Sequence, residues 1–431
     1  MKKISIYLSV FLLISGFVYS QNNEKLITNN YSIEGATAHL GTGEVISNAL
    51  IMFENGKITF VGKAEAKIAR QGEVIHAKGQ HIYPGFIAAN TSLGLGEIDA
   101  VKATLDYDEV GDMLPHIKSI YAYNAESKVV ESMRPNGVLM AQVVPRGGVI
   151  SGTSSIVQLD AWNWEDAAYK KNDGIHINWP PNFTRGRWWL GEDPGKKPNK
   201  NYQKSIAKIK SFFTDAKNYI NSSSAPKNIP LEAMKGLFTG SQTLFIHASF
   251  ENQITDAVET LSDLGINNMV LVHGTEAVKV SDLLLKHNIP VILERAHRVP
   301  GNNDDAYDLP FASAGALANK GITVAIGMEG SMERMSARNL PFYAGTYAAY
   351  GLDKEEALKL ITLNSAKILG IDNKVGSIEV GKDATLFISE GDALDMRTNR
   401  LTKAFIKGQP VSLETHQTKL YKRYKEKYAN Q

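Results

Sequence analysis

The residue types available for chemistry are limited, because the 431-residue chain contains no cysteine. Disulfides, thiolate metal ligands and a cysteine nucleophile are therefore excluded, and any catalysis must use His, Asp, Glu, Lys, Tyr or Ser. Two of the ten histidines end apolar runs typical of buried strands: His247 follows Leu-Phe-Ile, and His273 follows Val-Leu-Val. A histidine at a strand end can be a ligand or a structural hydrogen-bonding group, so both interpretations stay open at this point.

The elements that would position these histidines are strands alternating with helices. Strand-like apolar runs occur at 82–88, 137–144, 243–247, 268–273, 290–294 and 321–327, and helical patterns occur at 252–264, 276–287 and 354–369. Repeated strand–helix units with β-branched strands predict a parallel sheet. Six strands are identified in this way, and we expect the two that would complete a set of eight within residues 150–240.

Both ends of the chain have a different pattern, made of short strands. Strand-like runs at 31–38, 49–54 and 57–61 include an Asn-Gly turn at 55–56, which is a strong hairpin signal, and 376–380, 384–389 and 401–406 are similar. We therefore predict one small β domain from residues 26–80 and 376–413, with 81–375 forming the larger domain.

Two further segments stand apart from this pattern. All five tryptophans lie between 162 and 189, and a run rich in Gly, Pro, Lys and Asn follows, so we predict an insertion at about 160–205. Its aromatic residues are expected to pack the loop against the body, with a substrate platform as the alternative. Residues 414–431, rich in Lys, Tyr and Arg, are predicted to be a tail in the form of a solvated helix, with partner binding as a second interpretation.

Three passages carry a family resemblance: YPGFI at 83–87, the helical pattern at 357–371, and GSIEVGKDA at 376–384. Together with His247 and His273 they resemble the amidohydrolase superfamily, especially its imidazolonepropionase-like branch. The resemblance implies an α/β fold, a (β/α)8 TIM-like barrel with a small β domain formed by the N- and C-terminal segments. In such barrels the active site lies at the carboxyl ends of the strands.

The chain departs from this family at the first barrel strand. The family places a His-x-His pair after the Pro-Gly-Phe-Ile segment, where two histidines at alternate positions bind a divalent metal. Here those positions hold Asn90 and Ser92, and the acidic residue that usually precedes them is Ala88. Because neutral amide and hydroxyl oxygens are weak zinc ligands compared with imidazole, the usual metal site cannot be assumed.

The remaining family positions define a reduced site. His247 and His273 match the histidines after strands 5 and 6, and Glu329 stands where the family has an aspartate that binds metal and takes a proton from water, with a surface acid in the loop 329–339 as the alternative. The resemblance implies His247, His273 and Glu329 as metal ligands, and His273 and Glu329 as catalytic residues. Asn90, Ser92 and His297 are expected in the substrate pocket. We expect one divalent metal, zinc, bound weakly or not at all.

Three classes of function follow. The first is hydrolysis of a non-peptide C–N bond in a small amide or cyclic amide, with water activated by a metal or a carboxylate. The second is a non-catalytic pseudoenzyme or binding protein on the same barrel, which the replacements Asn90 and Ser92 favour. The third is a surface scaffold that acts through the tryptophan-rich segment and the basic tail. A small-molecule substrate is expected, and the sequence indicates no oligomeric state.

The first residues resemble an export signal. Lys2 and Lys3 precede an apolar run from 4 to 18 and small or polar residues at 20 and 21, so residues 1–20 are predicted to be a cleaved signal peptide. A retained membrane anchor is the alternative. Cleavage would change the formal charge from +2 to 0, and nothing in that balance favours nucleic acid or an anionic surface. The mature chain is expected in the periplasm or outside the cell, without a membrane span.

Overall fold

The structure, a computed structural model, describes residues 30–222, 226–301, 304–330 and 332–429. The predicted signal peptide, residues 1–20, lies outside these residues. The strands in chain order are β1 (Tyr31–His39), β2 (Val45–Glu54), β3 (Lys57–Lys63), β4 (Glu73–His76), β5 (His81–Pro84), β6 (Phe86–Thr91), β7 (Val138–Val143), β8 (Ile150–Gln158), β9 (Ala168–Asn178), β10 (Phe183–Arg185), β11 (Lys196–Pro198), β12 (Thr243–Ala248), β13 (Met269–His273), β14 (Val291–Glu294), β15 (Val324–Gly327), β16 (Leu386–Ser389), β17 (Leu401–Ile406) and β18 (Gln409–Pro410).

The α-helices in chain order are α1 (Lys128–Glu131), α2 (Trp164–Ala167), α3 (Tyr202–Asn221), α4 (Ile229–Ala233), α5 (Lys235–Thr239), α6 (Glu251–Asp263), α7 (Ser281–Lys286), α8 (Leu309–Asn319), α9 (Glu333–Ser336), α10 (Leu340–Ala349), α11 (Lys354–Lys359), α12 (Leu363–Ile368) and α13 (His416–Ala429). Short 3-10 helices cover Lys102–Thr104, Ser119–Ala122, Arg134–Asn136, Trp188–Leu190, Ala277–Val280 and Ala337–Asn339.

One sheet contains strands from both ends of the chain. Its strand order is β18-β17-β16-β5-β1-β2-β3, and β4 pairs with β1. The hairpin of β2 and β3 turns at Asn55 and Gly56, both of which have positive φ, as the Asn-Gly signal predicts. The buried residues of this sheet form a core of their own that includes Ile33, Ile51 and Leu386.

A closed eight-stranded barrel follows β5 in the chain. Its strand order is β12-β13-β14-β15-β6-β7-β8-β9, and β9 closes the ring by pairing in parallel with β12. The two strands missing from the sequence analysis are therefore β8 and β9, both within residues 150–240. The fold is α/β, with a TIM-like barrel and an additional β sheet.

The prediction of a regular (β/α)8 barrel is wrong at one strand. β8 runs antiparallel to both of its neighbours, β7 and β9. The connection from β7 to β8 is the reason, because it comprises only residues 144–149, whereas a parallel crossover needs a dozen residues or more. This connection turns at Gly147 and Gly148, which have positive φ. It lies at the carboxyl end of β7, the end that faces the candidate site.

The segment predicted as an insertion at 160–205 also needs correction. It contains the barrel strand β9 and the start of helix α3, so only the part between them, with the β10–β11 hairpin, is an excursion from the barrel. Its tryptophans do not form one platform. Trp179 is buried and donates a hydrogen bond to the Tyr202 hydroxyl, whereas Trp162, Trp188 and Trp189 are largely exposed.

The inside of the barrel is apolar toward the amino ends of the parallel strands and polar toward their carboxyl ends, here called the top. A buried cluster that includes Ile87, Val270 and Ala325 fills the lower part. Side chains two residues apart on a strand point to the same face, so the next inward position on each strand lies above this cluster. The steps from apolar to polar on four strands are Met140 to Gln142, Ile156 to Ser154, Phe245 to His247 and Ile292 to Glu294.

The predicted tail, residues 414–431, contains the solvated helix α13, which buries none of its described side chains. It is attached through the backbone N–H of His416, which donates to the Glu131 carboxylate at 2.6 Å. Across the four described ranges of the chain, no helix has the length and apolar character needed to cross a membrane.

Candidate active site

Three residues from three strand ends converge at the top of the barrel. His247 lies in β12, His273 is the last residue of β13, and Glu329 follows β15. One ligand atom from each lies within 4.8 Å of the others. Within residues 30–222, 226–301, 304–330 and 332–429, this is the one such group of three or more metal-ligating side chains.

The histidines of the site form a chain of hydrogen bonds with a third imidazole. His176, on β9, lies 2.9 Å from His247, between Nδ1 and Nε2 respectively. His247 Nδ1 in turn lies 2.9 Å from His273 Nε2. The remaining nitrogen, His273 Nδ1, lies 3.4 Å from Glu329 and 3.8 Å from Glu294. The row of hydrogen-bonded histidines therefore extends from the barrel interior to the carboxylates at the mouth.

The buried end of this chain is anchored by polar groups on β7, β8 and β9. His176 Nε2 lies 2.9 Å from the Ser154 hydroxyl, which lies 2.8 Å from Asp173 Oδ1. Gln142 donates to the other oxygen of Asp173 at 2.8 Å. These four side chains are all buried. Such a network is stable only because each polar group has a partner.

Burial shifts the protonation equilibria along this chain. Removal from water holds the pKa of His176 well below its ordinary value, and the positive charge of Arg146 lowers it further. The pKa of His247 is also held well below the ordinary value, chiefly by burial and then by His273. Burial raises the pKa of Asp173 to about 6, against the opposing hydrogen bonds from Ser154 and Gln142. Both buried imidazoles are therefore neutral near pH 7.

Asn90, at the first of the two replaced family positions, contacts the site directly. Its side-chain amide donates to Glu329 Oε2 at 3.1 Å, and its backbone N–H donates to Gln142 at 3.1 Å. Its φ is +51°, in the left-handed region that asparagine tolerates better than most residues. Asn90 is fully buried, so its side chain positions Glu329 from below.

Ser92, at the second replaced position, points to a different carboxylate. Its hydroxyl and its backbone N–H both donate to Glu333, on α9, and Thr91 donates to the same side chain at 2.7 Å. Arg334 donates to the Ser92 hydroxyl at 3.2 Å and pairs with Asp99. Ser92 is thus buried in an ion-pair network beside the His–His–Glu group.

Arg146 connects these two sets of residues. It lies in the short turn between β7 and β8, and its guanidinium donates to the side-chain and backbone oxygens of Asn90, each at 2.9 Å. It lies 3.8 Å from the Glu329 carboxylate and 3.7 Å from that of Glu333. A fixed positive charge therefore stands where both replaced positions meet.

His297 is not joined to this group by its hydrogen bond. Its Nε2 lies 2.7 Å from the Thr346 hydroxyl, and its ring packs edge-on against Tyr343, both on α10. Burial and the charge of Arg295 lower its pKa. The expected pocket residue lies in the loop after β14 and packs against the neighbouring helix.

Two site residues were missed by sequence reasoning. His176 received no role because β9 was not recognised as a strand, although His176 lies two residues above Gly174 on the inward face. Arg146 was also not predicted as a site residue. Its place in a Pro-Arg-Gly-Gly turn indicates a hairpin between two strands, and this pattern could have identified it.

The sequence is similar to known proteins of the amidohydrolase family. The amidohydrolase family model matches residues 241–411. A 5-methylthioadenosine/S-adenosylhomocysteine deaminase of Thermoanaerobacter pseudethanolicus is 27% identical over 81% of this chain and 82% of its own length. An imidazolonepropionase of the same organism is 24% identical over 82% of this chain and 86% of its own length.

A solved structure extends the likeness to the fold. The amidohydrolase from Thermotoga maritima superposes with a TM-score of 0.75 at 23% identity, over 89% of this chain and 99% of its own. At this identity the match is evidence of the fold alone. The sequence matches show that the chain is similar to the amidohydrolase family over residues 241–411, and to a deaminase and an imidazolonepropionase over about four-fifths of its length.

Proposed function

We propose that the chain hydrolyses a non-peptide C–N bond in a small amide or cyclic amide, using one divalent metal held by His247, His273 and Glu329. The observation that carries the proposal is the convergence of these three side chains, from three strand ends, within 4.8 Å. Two imidazole nitrogens and one carboxylate oxygen are a donor set typical of catalytic zinc, with a fourth position left for water.

The donor set fits the ion in charge and in chemistry. A zinc ion there would supply Lewis acidity and a lowered pKa for water. His247 and His273 would hold it, because their facing ring nitrogens lie 2.9 Å apart and share one hydrogen, which the ion would replace. Glu329, about one-third exposed, would take the proton of the attacking water, in a role that needs a carboxylate open to the mouth.

The surroundings of Asn90 and Ser92 support a centre with a single cation. Both side chains are already engaged, Asn90 with Arg146 and Glu329, and Ser92 with Glu333. The guanidinium of Arg146 supplies a positive charge 3.8 Å from Glu329, so a second metal beside it would meet like-charge repulsion.

Sequence relatives support the type of reaction. The relatives named above are called a deaminase and an imidazolonepropionase. We therefore expect the substrate to carry the scissile C–N bond in or on a small ring.

A metal-removal experiment tests the proposal. The full chain, stripped with a chelator and then given back zinc, would be assayed against a panel of small cyclic amides and ring-bound amines. We expect hydrolysis that disappears on stripping and returns with zinc. Hydrolysis that persists after complete metal removal would contradict the metal-dependent mechanism.

The buried strand-1 replacements favour a second candidate, a non-catalytic binding protein on the same barrel. Asn90 and Ser92 lie in a saturated network that offers no imidazole to a metal. This candidate predicts ligand binding without turnover and without zinc. Calorimetric binding of the same panel, measured beside the hydrolysis assay, separates the two candidates.

We also propose that the chain is exported, because the basic and then apolar start of the sequence has the layout of a signal peptide. Amino-terminal sequencing of the mature protein is expected to begin near Gln21. Finding Met1 on the soluble protein would contradict export with cleavage.

A further inference from the structure

We propose that Asp173, Ser154 and His176 form a positioning relay that presents the lone pair of His247 Nδ1 to the centre, and so sets its affinity for a cation. The proposal rests on the proposed function, because it concerns the same centre. It adds a role for three buried residues that bind neither the metal nor the substrate.

The direction of the relay begins at Gln142. The Asn90 backbone N–H donates to one atom of the Gln142 amide at 3.1 Å, which identifies that atom as the oxygen. The other atom is then the amide nitrogen, which donates to Asp173 at 2.8 Å. Asp173 is therefore an acceptor at this oxygen.

Ser154 carries the direction one step further. Its hydroxyl has one hydrogen, and the buried carboxylate oxygen Asp173 Oδ1 at 2.8 Å is a stronger acceptor than the Gly174 carbonyl at 3.2 Å or a lone pair on His176 Nε2. With its hydrogen used on either oxygen, Ser154 can only accept from His176 Nε2, 2.9 Å away. His176 is thus protonated at Nε2.

The state of His176 then decides the state of His247. His176 is fully buried, which disfavours a charged ring, so its Nδ1 carries a lone pair. That lone pair accepts a hydrogen from His247 Nε2 at 2.9 Å. His247 Nδ1 is left unprotonated, and it is the nitrogen that faces His273 and the centre.

The consequence concerns metal binding. A ligand nitrogen must be unprotonated, and a hydrogen bond from the other ring nitrogen fixes that tautomer. The opposite tautomer would place this N–H on His247, whereas the relay leaves the hydrogen of the His247–His273 contact on His273, the more exposed of the two rings. Outer partners of this kind contribute roughly 10- to 100-fold to metal affinity.

The packing of His176 allows a substitution that removes its hydrogen bonds and keeps an aromatic ring. The His176 ring stacks on Phe245, with centroids 4.6 Å apart and planes within 5° of parallel. His176→Phe keeps an aromatic ring there and removes both hydrogen bonds. The matched control is His39→Phe, because His39 is also buried, also bonds another histidine, and also stacks on an aromatic ring, Tyr83, at 4.3 Å.

The first test is zinc affinity, measured by competition with a chromophoric chelator on the full chain. We expect His176→Phe to weaken binding about 10- to 100-fold. His39→Phe should leave affinity unchanged, and His176→Gln should recover part of it, because its side-chain oxygen can accept from His247. Equal zinc affinity in His176→Phe and the parent protein would overturn the relay.

The second test needs no metal and no substituted protein. With 15N-labelled histidine, the ring nitrogen shifts of the metal-free parent report each tautomer. We expect His247 and His176 both to carry hydrogen at Nε2. A His247 protonated at Nδ1 would overturn the relay even if zinc binds. Failure to bind zinc with the expected tautomers would instead contradict the proposed function, whereas the tautomers of His176 and His247 would remain as the relay predicts.

Discussion

Two regions of the molecule contain hydrogen-bonded histidines, and they differ in one respect. In the small sheet, Glu355 lies 2.7 Å from His39 Nδ1, and His39 Nε2 lies 3.0 Å from His81. The partners stand on opposite sides of the His39 ring and are held apart by it. In the barrel, His273 lies on the Nδ1 side of His247, and one ligand atom each from His247, His273 and Glu329 lies within 4.8 Å of the others.

This difference teaches what distinguishes a candidate site from a structural pair. Burial, ring stacking and a short imidazole–imidazole hydrogen bond are common to both regions. Among the described residues, three metal-ligating side chains with ligand atoms within 4.8 Å of one another are found in the barrel alone. A hydrogen bond between histidines therefore indicates a packed polar core, whereas three converging ligand atoms indicate a place for a cation.

The largest expected effect comes from removing the converging imidazoles. His247→Ala with His273→Ala should abolish zinc binding and hydrolysis together, because a single carboxylate cannot retain the ion. The matched variant, His39→Ala with His81→Ala, should lose stability and keep zinc. Zinc content, turnover and thermal unfolding would be measured on both. If the barrel variant retains metal and activity, the site lies elsewhere.

The next effect concerns the carboxylate beside each row of hydrogen-bonded histidines, Glu329 in the barrel and Glu355 beside the small sheet. Glu329→Gln should lower turnover roughly 10²- to 10⁴-fold, because the amide cannot take a proton from water. Glu355→Gln, at the His39 end, should leave kcat unchanged. Both would be measured at saturating substrate. Equal, small effects of the two substitutions would remove the distinction between the regions.

A smaller effect is expected at Arg146. Its guanidinium lies 3.8 Å from Glu329 and competes with a metal for that carboxylate, so Arg146→Met should tighten zinc binding by about 5-fold, near 1 kcal/mol for a partly exposed pair. Lys57→Met, which removes an ion pair with Asp383 in the small sheet, is the control. Weaker zinc binding in Arg146→Met would show that Arg146 holds Glu329 in place instead of competing for it.

The smallest effect is on stability against pH. Burial raises the pKa of Asp173 to about 6, so the folded state holds this proton more tightly than the unfolded state does. Asp173 therefore makes the protein less stable as pH rises from about 4 to about 6, by an amount on the order of 3 kcal/mol. Asp173→Asn should lack this decline. Denaturant unfolding at several pH values, compared between parent and variant, measures it, and parallel curves would contradict it.

Much of the fold could be predicted from apolar periodicity. Six barrel strands and the hairpin at Asn55 and Gly56 lie where their patterns indicate. The helical pattern at 354–369 is interrupted, however, because Thr362 has a non-helical backbone and separates α11 from α12. β8 and β9 are not predicted from the sequence because some of their inward positions are polar. Ser154 and His176 belong to the hydrogen-bonded network, so neither strand is a continuous apolar run.

The candidate site also contains residues that could be predicted from the sequence and residues that could not. His247, His273 and Glu329 could be proposed together because each follows a recognisable apolar strand and matches a family position. His176 and Arg146 could not, since their places depend on the antiparallel β8 and its short connection, which set which side chains enter the mouth. The Pro-Arg-Gly-Gly turn indicates a hairpin, but the residue pattern alone does not identify which side chains the antiparallel β8 places at the mouth.

The most direct test of the account is the zinc content of the full chain after equilibrium dialysis against a buffer of fixed free zinc concentration, measured by elemental analysis of the protein and buffer compartments. The account predicts one zinc per chain in the parent protein and none in the variant that combines His247→Ala with His273→Ala. Two zinc ions per chain, or no zinc in a protein that still hydrolyses its substrate, would contradict it.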